Sequence, residues 1–284
     1  MRKTFAIAVL GAAGILAQPP LPRAQVEVSS LKIHAGDGRG PEMRGSPGGF
    51  SLRNASLRDM IRAAYGVWDF QILAGPDWID SDRYDIETKA HIIPPSQMHV
   101  VVVEAVLRDR FKLKLHRETT ELPVYVLTVA KGGARMRPSK DGSCVPFDGK
   151  TIPRRNVPGQ KPYCGFANRG ISLWLNRTID AVGLSIADPP GPKPELPVVL
   201  SLTGFLSSNL DRMVIDKTGL TGKYDIHLEW NWQATKDSGS AAVSADDGPS
   251  LFTAVQDQLG LKLEPGQGPV EVLVVDHVER PGGN

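Results

Sequence analysis

The pattern of apolar and polar residues predicts short strands interleaved with helices. Residues 26–33 (VEVSSLKI) and 83–90 (RYDIETKA) have the length and β-rich composition of strands. After Ser56 the apolar residues recur at helical spacing, and Asp59 lies three positions further on, as a capping box requires. The sequence therefore predicts a helix capped by Ser56, preceded by a strand.

The rest of the chain shows the same succession. Residues 96–111 (SQMHVVVVEAVLRDRF) contain consecutive valines, but their length and apolar spacing favour a helix. The segments 111–118 (FKLKLHRE) and 122–130 (LPVYVLTVA) predict the two strands of a hairpin. Further on, the sequence predicts a helix from Pro197, strands at RMVID and GKYDIHLEW, a helix from Pro249, and a final hairpin of LKLE with PVEVLVVDHVE.

Two pairs of segments resemble each other within the chain. Residues 105–127 and 254–273 both run from a helix end through Leu-Lys-Leu and a short turn to Pro-Val. RYDIE (83–87) and KYDIH (223–227) form a second echo. Any helix followed by a hairpin would look similar, but the shared motifs favour a real repeat. We therefore predict an α+β fold of repeated helix–strand–strand units, with a mainly antiparallel sheet packed under helices.

The first residues have the layout of a secretory signal peptide. Arg2 and Lys3 precede an apolar run from Phe5 to Leu16, and small residues and prolines follow. The run is shorter than the about 20 residues of a membrane span, and an uncleaved anchor is the alternative. We predict a signal peptide over residues 1–24 and an exported chain, periplasmic or extracellular, with no membrane span after signal removal.

Composition divides the remaining chain into two α+β halves. Residues 25–138 and 171–284 carry the predicted helices and strands, and residues 139–170 form an irregular insert rich in proline and glycine. A small and polar stretch at 233–248 predicts a flexible loop. The net charge of +2 and the 41% hydrophobic content indicate packed cores and argue against a nucleic-acid partner.

The two cysteines, Cys144 and Cys164, both lie in the insert. An even number of cysteines in an exported chain predicts a disulfide bond. A metal pair lacks Cys-x-x-Cys spacing and a nearby histidine, and a catalytic thiol lacks a local base.

The stretch DKTGLTGKYD, residues 216–225, nearly matches the loop in which cation-pumping ATPases phosphorylate an aspartate. Phosphorylation needs Mg²⁺, ATP and a fold that holds both, and the pump motif has threonine where this chain has Leu220. Glycines permit the positive φ angles of a tight turn, and aspartate and threonine side chains bind turn amides. We therefore predict a structural turn motif of Asp216, Lys217, Thr218, Gly219, Gly222 and Tyr224.

The other motifs predict no catalytic, cofactor-binding or metal site, and we expect no cofactor. His116 and His227 fall on the polar faces of strands. Asp276 and His277 are adjacent on a strand and point to opposite faces, so they cannot form a dyad together. A Gly-x-Ser-x-Gly elbow is absent, although a triad assembled from distant segments leaves no spacing signature.

Four blocks of sequence begin with LRDMIRAAYG, LRDRFKLKLH, VIDKTGLTGK and PSLFTAVQDQ. They resemble an exported family of unknown function that is abundant in acidobacteria-like soil organisms. The resemblance covers about Val26 to Pro281 and departs from the family pattern in the proline-rich stretch at 188–197. It implies export without an established reaction. Some related copies follow membrane-embedded metallopeptidases similar to antibiotic sensor-transducers, but the His-Glu-x-x-His motif is absent here.

A shorter likeness links helix, LGLKL, turn and strand to the small N-terminal domains of secretins and TonB-dependent receptors, which bind protein partners. These features favour a non-catalytic extracytoplasmic module for binding, interaction or sensing. Its partner would be an unknown protein or envelope ligand, and self-association is compatible with this interpretation. The alternative is an extracytoplasmic hydrolase whose site is assembled from distant loops. The strand PVEVLVVDHVE would pair with a partner if it lay at a sheet edge, whereas such apolar runs often lie in the sheet centre.

Overall fold

The described part of the protein contains twelve strands and five α-helices, so the fold is α+β, and most strand pairs are antiparallel. The predicted signal peptide, the predicted helix start at Pro197 and most of the loop at 233–248 lie outside that part. The computed structural model describes residues 26–36, 40–46, 48–90, 98–146, 159–165, 167–171, 176–188, 201–232, 235 and 248–282.

The first half of the chain forms an outer antiparallel sheet with helices beside it. Its strands are β1 (Val26–Ile33), β2 (Glu42–Ser46), β3 (Gly49–Ser56) and β5 (Arg83–Ala90), in the order β1-β5-β3-β2. The strands predicted at 26–33 and 83–90 are confirmed. The remaining elements of this half are α1 (Leu57–Tyr65), β4 (Ile72–Leu73), α2 (Trp78–Ser81) and α3 (Met98–Arg110).

Helix α1 begins where its sequence predicts. The Ser56 hydroxyl accepts a hydrogen bond from the Asp59 amide (3.0 Å), and the Asp59 carboxylate accepts one from the Ser56 amide (3.0 Å). This reciprocal pair satisfies two amides that the first helical turn leaves without helical partners. The apolar face packs against α3 and the outer sheet, and it consists of Leu57, Met60, Ile61 and Ala64, all buried.

The second half has a similar order of elements, without a counterpart of α2, and its outer sheet takes in residues 137–138 and 167–170 from the predicted first half and insert. Its outer sheet contains β7 (Arg137–Pro138), β8 (Ala167–Ile171), β9 (Asn176–Ser185) and β11 (Lys223–Asn231), in the order β7-β11-β9-β8. Helices α4 and α5 begin after the capping residues Ser201 and Ser250, so α5 starts two residues later than a start at Pro249 would place it. The remaining elements are α4 (Leu202–Leu210), β10 (Val214–Asp216) and α5 (Leu251–Leu259).

A central sheet joins the halves. The long strands β6 (Lys114–Val129) and β12 (Leu261–His277) pair antiparallel along their whole length, from Lys114 opposite His277 to Val129 opposite Leu261. β10 pairs parallel with β6, and β4 pairs parallel with β12, giving the order β10-β6-β12-β4. Each half therefore contributes one long strand and one short strand to this sheet.

Both predicted hairpins are wrong. KLHRETTELPVYVLTV and LKLEPGQGPVEVLVVDH each form one continuous strand, and the two strands pair with each other instead of folding back on themselves. The glycines of PGQG lie within β12 because the packing leaves little room for side chains there. A Cβ atom on Gly268 would stand 2.5 Å from Cδ1 of Ile215, and one on Gly266 would stand 3.0 Å from Cγ2 of Val126.

The end of the chain lies inside the central sheet. β12 has β6 on one side along its whole length and β4 on the other at Leu273 and Val274, so PVEVLVVDHVE lies inside the sheet at these two residues. Val272 and Leu273 are fully buried. The hypothesis that this segment offers an edge for a partner is therefore wrong, because its apolar side chains fill the core.

The apolar core falls into three clusters. One lies in the first half around α1 and α3, and one lies in the second half around α4 and α5. Both include residues of the long strands, such as Leu273 in the first cluster and Leu127 in the second. The third and smallest surrounds Val124, Val270 and Val272 in the central sheet. The central sheet therefore contributes side chains to every cluster and holds the halves together.

Candidate functional site

The turn at 216–225 is held by its own side chains. One carboxylate oxygen of Asp216 accepts hydrogen bonds from the Thr218 amide (2.8 Å) and the Thr218 hydroxyl (2.7 Å). The Thr218 hydroxyl accepts in turn from the Leu220 amide (3.1 Å). Gly219 and Gly222 have φ angles of +69° and +128°, which other residues adopt with strain. Asp216 therefore makes the contacts of a turn residue between β10 and β11.

The rest of the predicted motif flanks this turn. The Lys217 amide donates to the Leu127 carbonyl (2.9 Å), which continues the parallel pairing of β10 with β6. Tyr224 lies in β11 opposite Leu184 and packs against the second core. The six motif residues are therefore brought together by the chain's path from one strand to the next.

Cys144 and Cys164 form a disulfide bond, with their Cα atoms 5.0 Å apart. The bridge packs against Gly183 of β9, since a Cβ atom there would stand 2.7 Å from Sγ of Cys144. Part of the insert is thus attached to the outer sheet of the second half.

The aspartates of RYDIE and KYDIH make similar contacts in the two outer sheets. Each outer sheet has a bulge where the neighbouring strand adopts a positive φ angle, at Asn54 (+50°) and at Gly183 (+68°). Asp85 accepts a hydrogen bond from the Asn54 amide (3.0 Å), and Asp225 accepts one from the Gly183 amide (3.2 Å). Sequence reasoning missed this role, although the repeated Tyr-Asp-Ile marked the position.

The histidines form separate pairs with carboxylates. His116 Nδ1 lies 2.9 Å from Asp276, and its Nε2 lies 3.7 Å from Glu118. His227 lies 2.6 Å from Asp180 across the strands of the second outer sheet. Both imidazoles are exposed, as the sequence predicted. Because a second carboxylate faces the other nitrogen of His116, this pair has the surroundings of a surface ion pair.

A shallow pocket of about 260 Å³ lies at the end of α5, and one of its cations, Arg135, binds the helix. The Arg135 guanidinium donates to the Asp257 carbonyl (2.7 Å), and the Arg135 amide donates to the Leu259 carbonyl (2.8 Å). Basic groups at this end complement the helix dipole and bind its last carbonyls.

The candidate site is a cluster of charged and phenolic groups where the first half meets the long strands. We call it the junction cluster, and it comprises Tyr65 at the end of α1, Glu104 and Arg108 on α3, Arg117 on β6 and Glu271 on β12. Glu104 and Arg108 are four residues apart and share a helix face. Arg117 forms an ion pair with Glu271 across the two long strands.

Burial raises the pKa values of two groups of the junction cluster. The pKa of the Tyr65 phenol is raised by burial and then by the charge of Glu104, while Arg108 and Arg117 oppose the rise. Burial also raises the pKa of the Glu104 carboxyl, and Arg108 opposes this rise. The Tyr65 phenol therefore lies within electrostatic reach of Glu104, Arg108 and Arg117, and Glu104 lies within reach of Arg108.

The two arginines of the junction cluster have replaceable partners. Arg108 binds Asp109 (2.8 Å) and is 61% exposed, and Arg117 binds Glu271 and is 46% exposed. Exposed ion pairs of this kind contribute about 0–1 kcal/mol. A carboxylate or phosphate group of a ligand matches the guanidinium fork and can take the place of either partner.

Within the described ranges, no group of three or more His, Cys, Asp and Glu side chains is arranged to hold a metal ion. No helix of the described part is long and apolar enough to cross a membrane.

Comparison with known proteins identifies a family. No curated protein and no solved structure matches the chain. Residues 58–278 match the family described as "Protein of unknown function (DUF3738)", a range that includes the junction cluster and the turn at 216–225. Since this match covers well over half of the 284 residues, the chain belongs to that family of unknown function.

Proposed function

We propose that the chain is an exported, non-catalytic binding module and that the junction cluster contacts an anionic group of a protein or envelope ligand. One observation carries the proposal: Arg108 and Arg117 lie within electrostatic reach of the half-buried Tyr65, and each arginine forms an ion pair with an exposed carboxylate. A ligand that replaces these carboxylates meets a charged and aromatic surface assembled from both long strands and two helices.

Export is a separate part of the proposal. It is supported by the signal-like layout of residues 1–24 and by the disulfide between Cys144 and Cys164, since such bonds persist in oxidising compartments. A sensing role would use the same surface, with ligand binding reported to another envelope protein.

We further propose that the two halves are copies of one α+β unit. The support is the common order of elements, the common order of strands in the outer sheets and the matching bulge contacts of Asp85 and Asp225. The long strand of each copy pairs with that of the other, so neither copy completes the central sheet alone.

A pull-down from the native cell envelope tests the binding proposal. The full exported chain is immobilised as wild type, as Arg108→Ala with Arg117→Ala, and as the control Arg44→Ala. Arg44 is an exposed cation paired with Glu42 on the distant strand β2. We expect an envelope component that wild type and Arg44→Ala retain and the double variant loses. Equal retention by all three chains would contradict the proposal.

A hydrolase is the second candidate, because burial raises the pKa of Glu104 as a general acid requires. It predicts turnover of ester, amide or glycoside substrates by wild type and loss of turnover in Glu104→Gln. Turnover that Glu104→Gln retains would remove the observation that favours this candidate.

A further inference from the structure

The two outer sheets differ at one edge. In the first half, β1 has eight residues and pairs with β5 from Ile33 opposite Tyr84 to Val26 opposite Ala90. In the second half, the equivalent strand β7 has two residues, which pair with Tyr224 and Asp225 of β11. Within the described part of the chain, the outer edge of β11 beyond Asp225 therefore has no strand where the first half has most of β1.

A glutamine side chain occupies part of this edge. The Gln258 side-chain amide of α5 accepts a hydrogen bond from the Glu229 amide (2.9 Å) and donates one to the Glu229 carbonyl (2.8 Å). These are the two bonds that a neighbouring strand would make with Glu229. In the first half, Lys89 lies four residues after Asp85, as Glu229 lies four after Asp225, and Lys89 pairs with Glu27 of β1.

A second residue of β11, His227, also directs its backbone groups to this edge. In a β-strand, residues two positions apart direct their backbone N–H and C=O groups to the same side. Glu229 directs these groups away from β9, so His227 does so too. His227 faces Asp180 of β9 through its side chain, which leaves the backbone direction unchanged. The edge thus presents backbone groups at His227 and at Glu229, which Gln258 binds, and it ends at Asn231, whose amide donates to the Pro249 carbonyl (2.8 Å).

We propose that the outer edge of β11 accepts an extended segment of another polypeptide, and that Gln258 is the side chain this segment displaces. The segment would lie antiparallel to β11, as β1 lies on β5, and backbone hydrogen bonds would supply the affinity. The first half also indicates its composition: Leu31 of β1 is buried and Val26 and Val28 pack on the core, so the segment carries apolar residues on the side that faces the helices.

This edge lies on β11 and α5, outside the junction cluster, so the inference does not depend on that cluster. A peptide with the sequence VEVSSLKI tests it, because β1 has this sequence at the equivalent place. Binding of the labelled peptide to the full exported chain is measured by fluorescence anisotropy. A peptide with proline in place of the second serine, which cannot donate at that position, is the control.

Four substitutions make the test specific. Gln258→Ala removes the competing bonds and should tighten peptide binding about tenfold, the equivalent of two modest hydrogen bonds. Gln256→Ala, on the same helix, should bind as wild type does. In the Gln258→Ala background, His227→Pro removes an outward amide and should abolish binding, whereas His227→Ala keeps that amide and should retain it.

Three results would overturn the proposal. The first is equal affinity of wild type and Gln258→Ala for the peptide. The second is binding that His227→Pro leaves intact in a chain whose circular dichroism is native. The third is a Gln258→Ala chain that dimerises in size-exclusion chromatography and ignores the peptide, which would assign the edge to a second copy. Loss of the envelope partner in the Arg108 and Arg117 variant with unchanged peptide binding would separate this edge from the junction cluster.

Discussion

Asp216→Ala tests whether the turn motif is structural. The substitution removes the acceptor of two hydrogen bonds, from the Thr218 amide at 2.8 Å and the Thr218 hydroxyl at 2.7 Å. A net contribution of about 0.5–1.5 kcal/mol for each bond predicts a loss of about 1–3 kcal/mol in the free energy of unfolding. The Lys217 amide keeps its bond to the Leu127 carbonyl, so β10 should stay paired with β6.

Asp216→Asn is the matched control. The asparagine side chain keeps a carbonyl oxygen where the carboxylate oxygen accepts both bonds, so the expected loss is below about 0.5 kcal/mol. Thr218→Val removes one donor to Asp216 and the acceptor of the Leu220 amide, and it should cost about 1–2 kcal/mol. If the contacts act as a turn, the three variants should rank Ala, then Val, then Asn in order of decreasing loss.

Urea unfolding of the full oxidised chain measures these losses, with an unchanged m-value as the condition for comparing midpoints. A loss of about 2 kcal/mol also lowers the thermal midpoint by about 4–8 °C for a chain of this size. An Asp216→Asn variant as unstable as Asp216→Ala would refute the reasoning, because charge rather than hydrogen bonding would then hold the turn. A second assay incubates wild type and Asp216→Asn with labelled ATP and Mg²⁺. Acid-stable label on wild type alone would refute the structural role of Asp216.

Two further predictions concern the bridge and a surface pair. Replacing Cys144 and Cys164 by alanine should lower the free energy of unfolding by about 3 kcal/mol, because the bridge closes a loop with a sequence separation of 20. Identical urea midpoints for oxidised wild type and the variant would contradict this prediction. The hydrogen bond to Asp276 raises the pKa of His116, so the stability from this pair is full below about pH 6.5 and falls as pH rises through the raised pKa. Asp276→Asn should therefore cost more stability at about pH 5.5 than at about pH 8.5, and a pH-independent cost in urea unfolding would contradict it.

Local chemistry made parts of the fold predictable. Ser56 and Asp59 cap α1 because their side chains reach amides within the same turn, whatever surrounds the helix. The glycines of the 216–225 turn act through their own φ angles, and the contacts of Asp216 reach only to Thr218. Such contacts join residues only a few positions apart, so they can be predicted from the local sequence.

The pairing of the long strands depended on the tertiary structure. Alternation in LKLHRETTELPVYVLTV suits a local hairpin and a long strand equally, because a side-chain period of two says nothing about the partner. The partner lies more than a hundred residues away in β12, and this pairing places Leu127 and Leu273 in two separate cores. Pro and Gly in β12 looked like a turn, yet Gly268 is there because Ile215 packs against it.

The sequence by itself therefore determined helices α1, α3, α4 and α5 but not α2, together with most of the strands, the turn and the cysteine pair, whose stabilising contacts are local or follow from residue type. Only the tertiary structure decided which strands pair, that β12 lies between β6 and β4 in the central sheet, and that Tyr65 lies within electrostatic reach of Glu104 and Arg117. It also placed Gln258 on the edge of β11. The physical reason is that burial and electrostatic proximity act between residues distant in the chain, where no spacing rule applies.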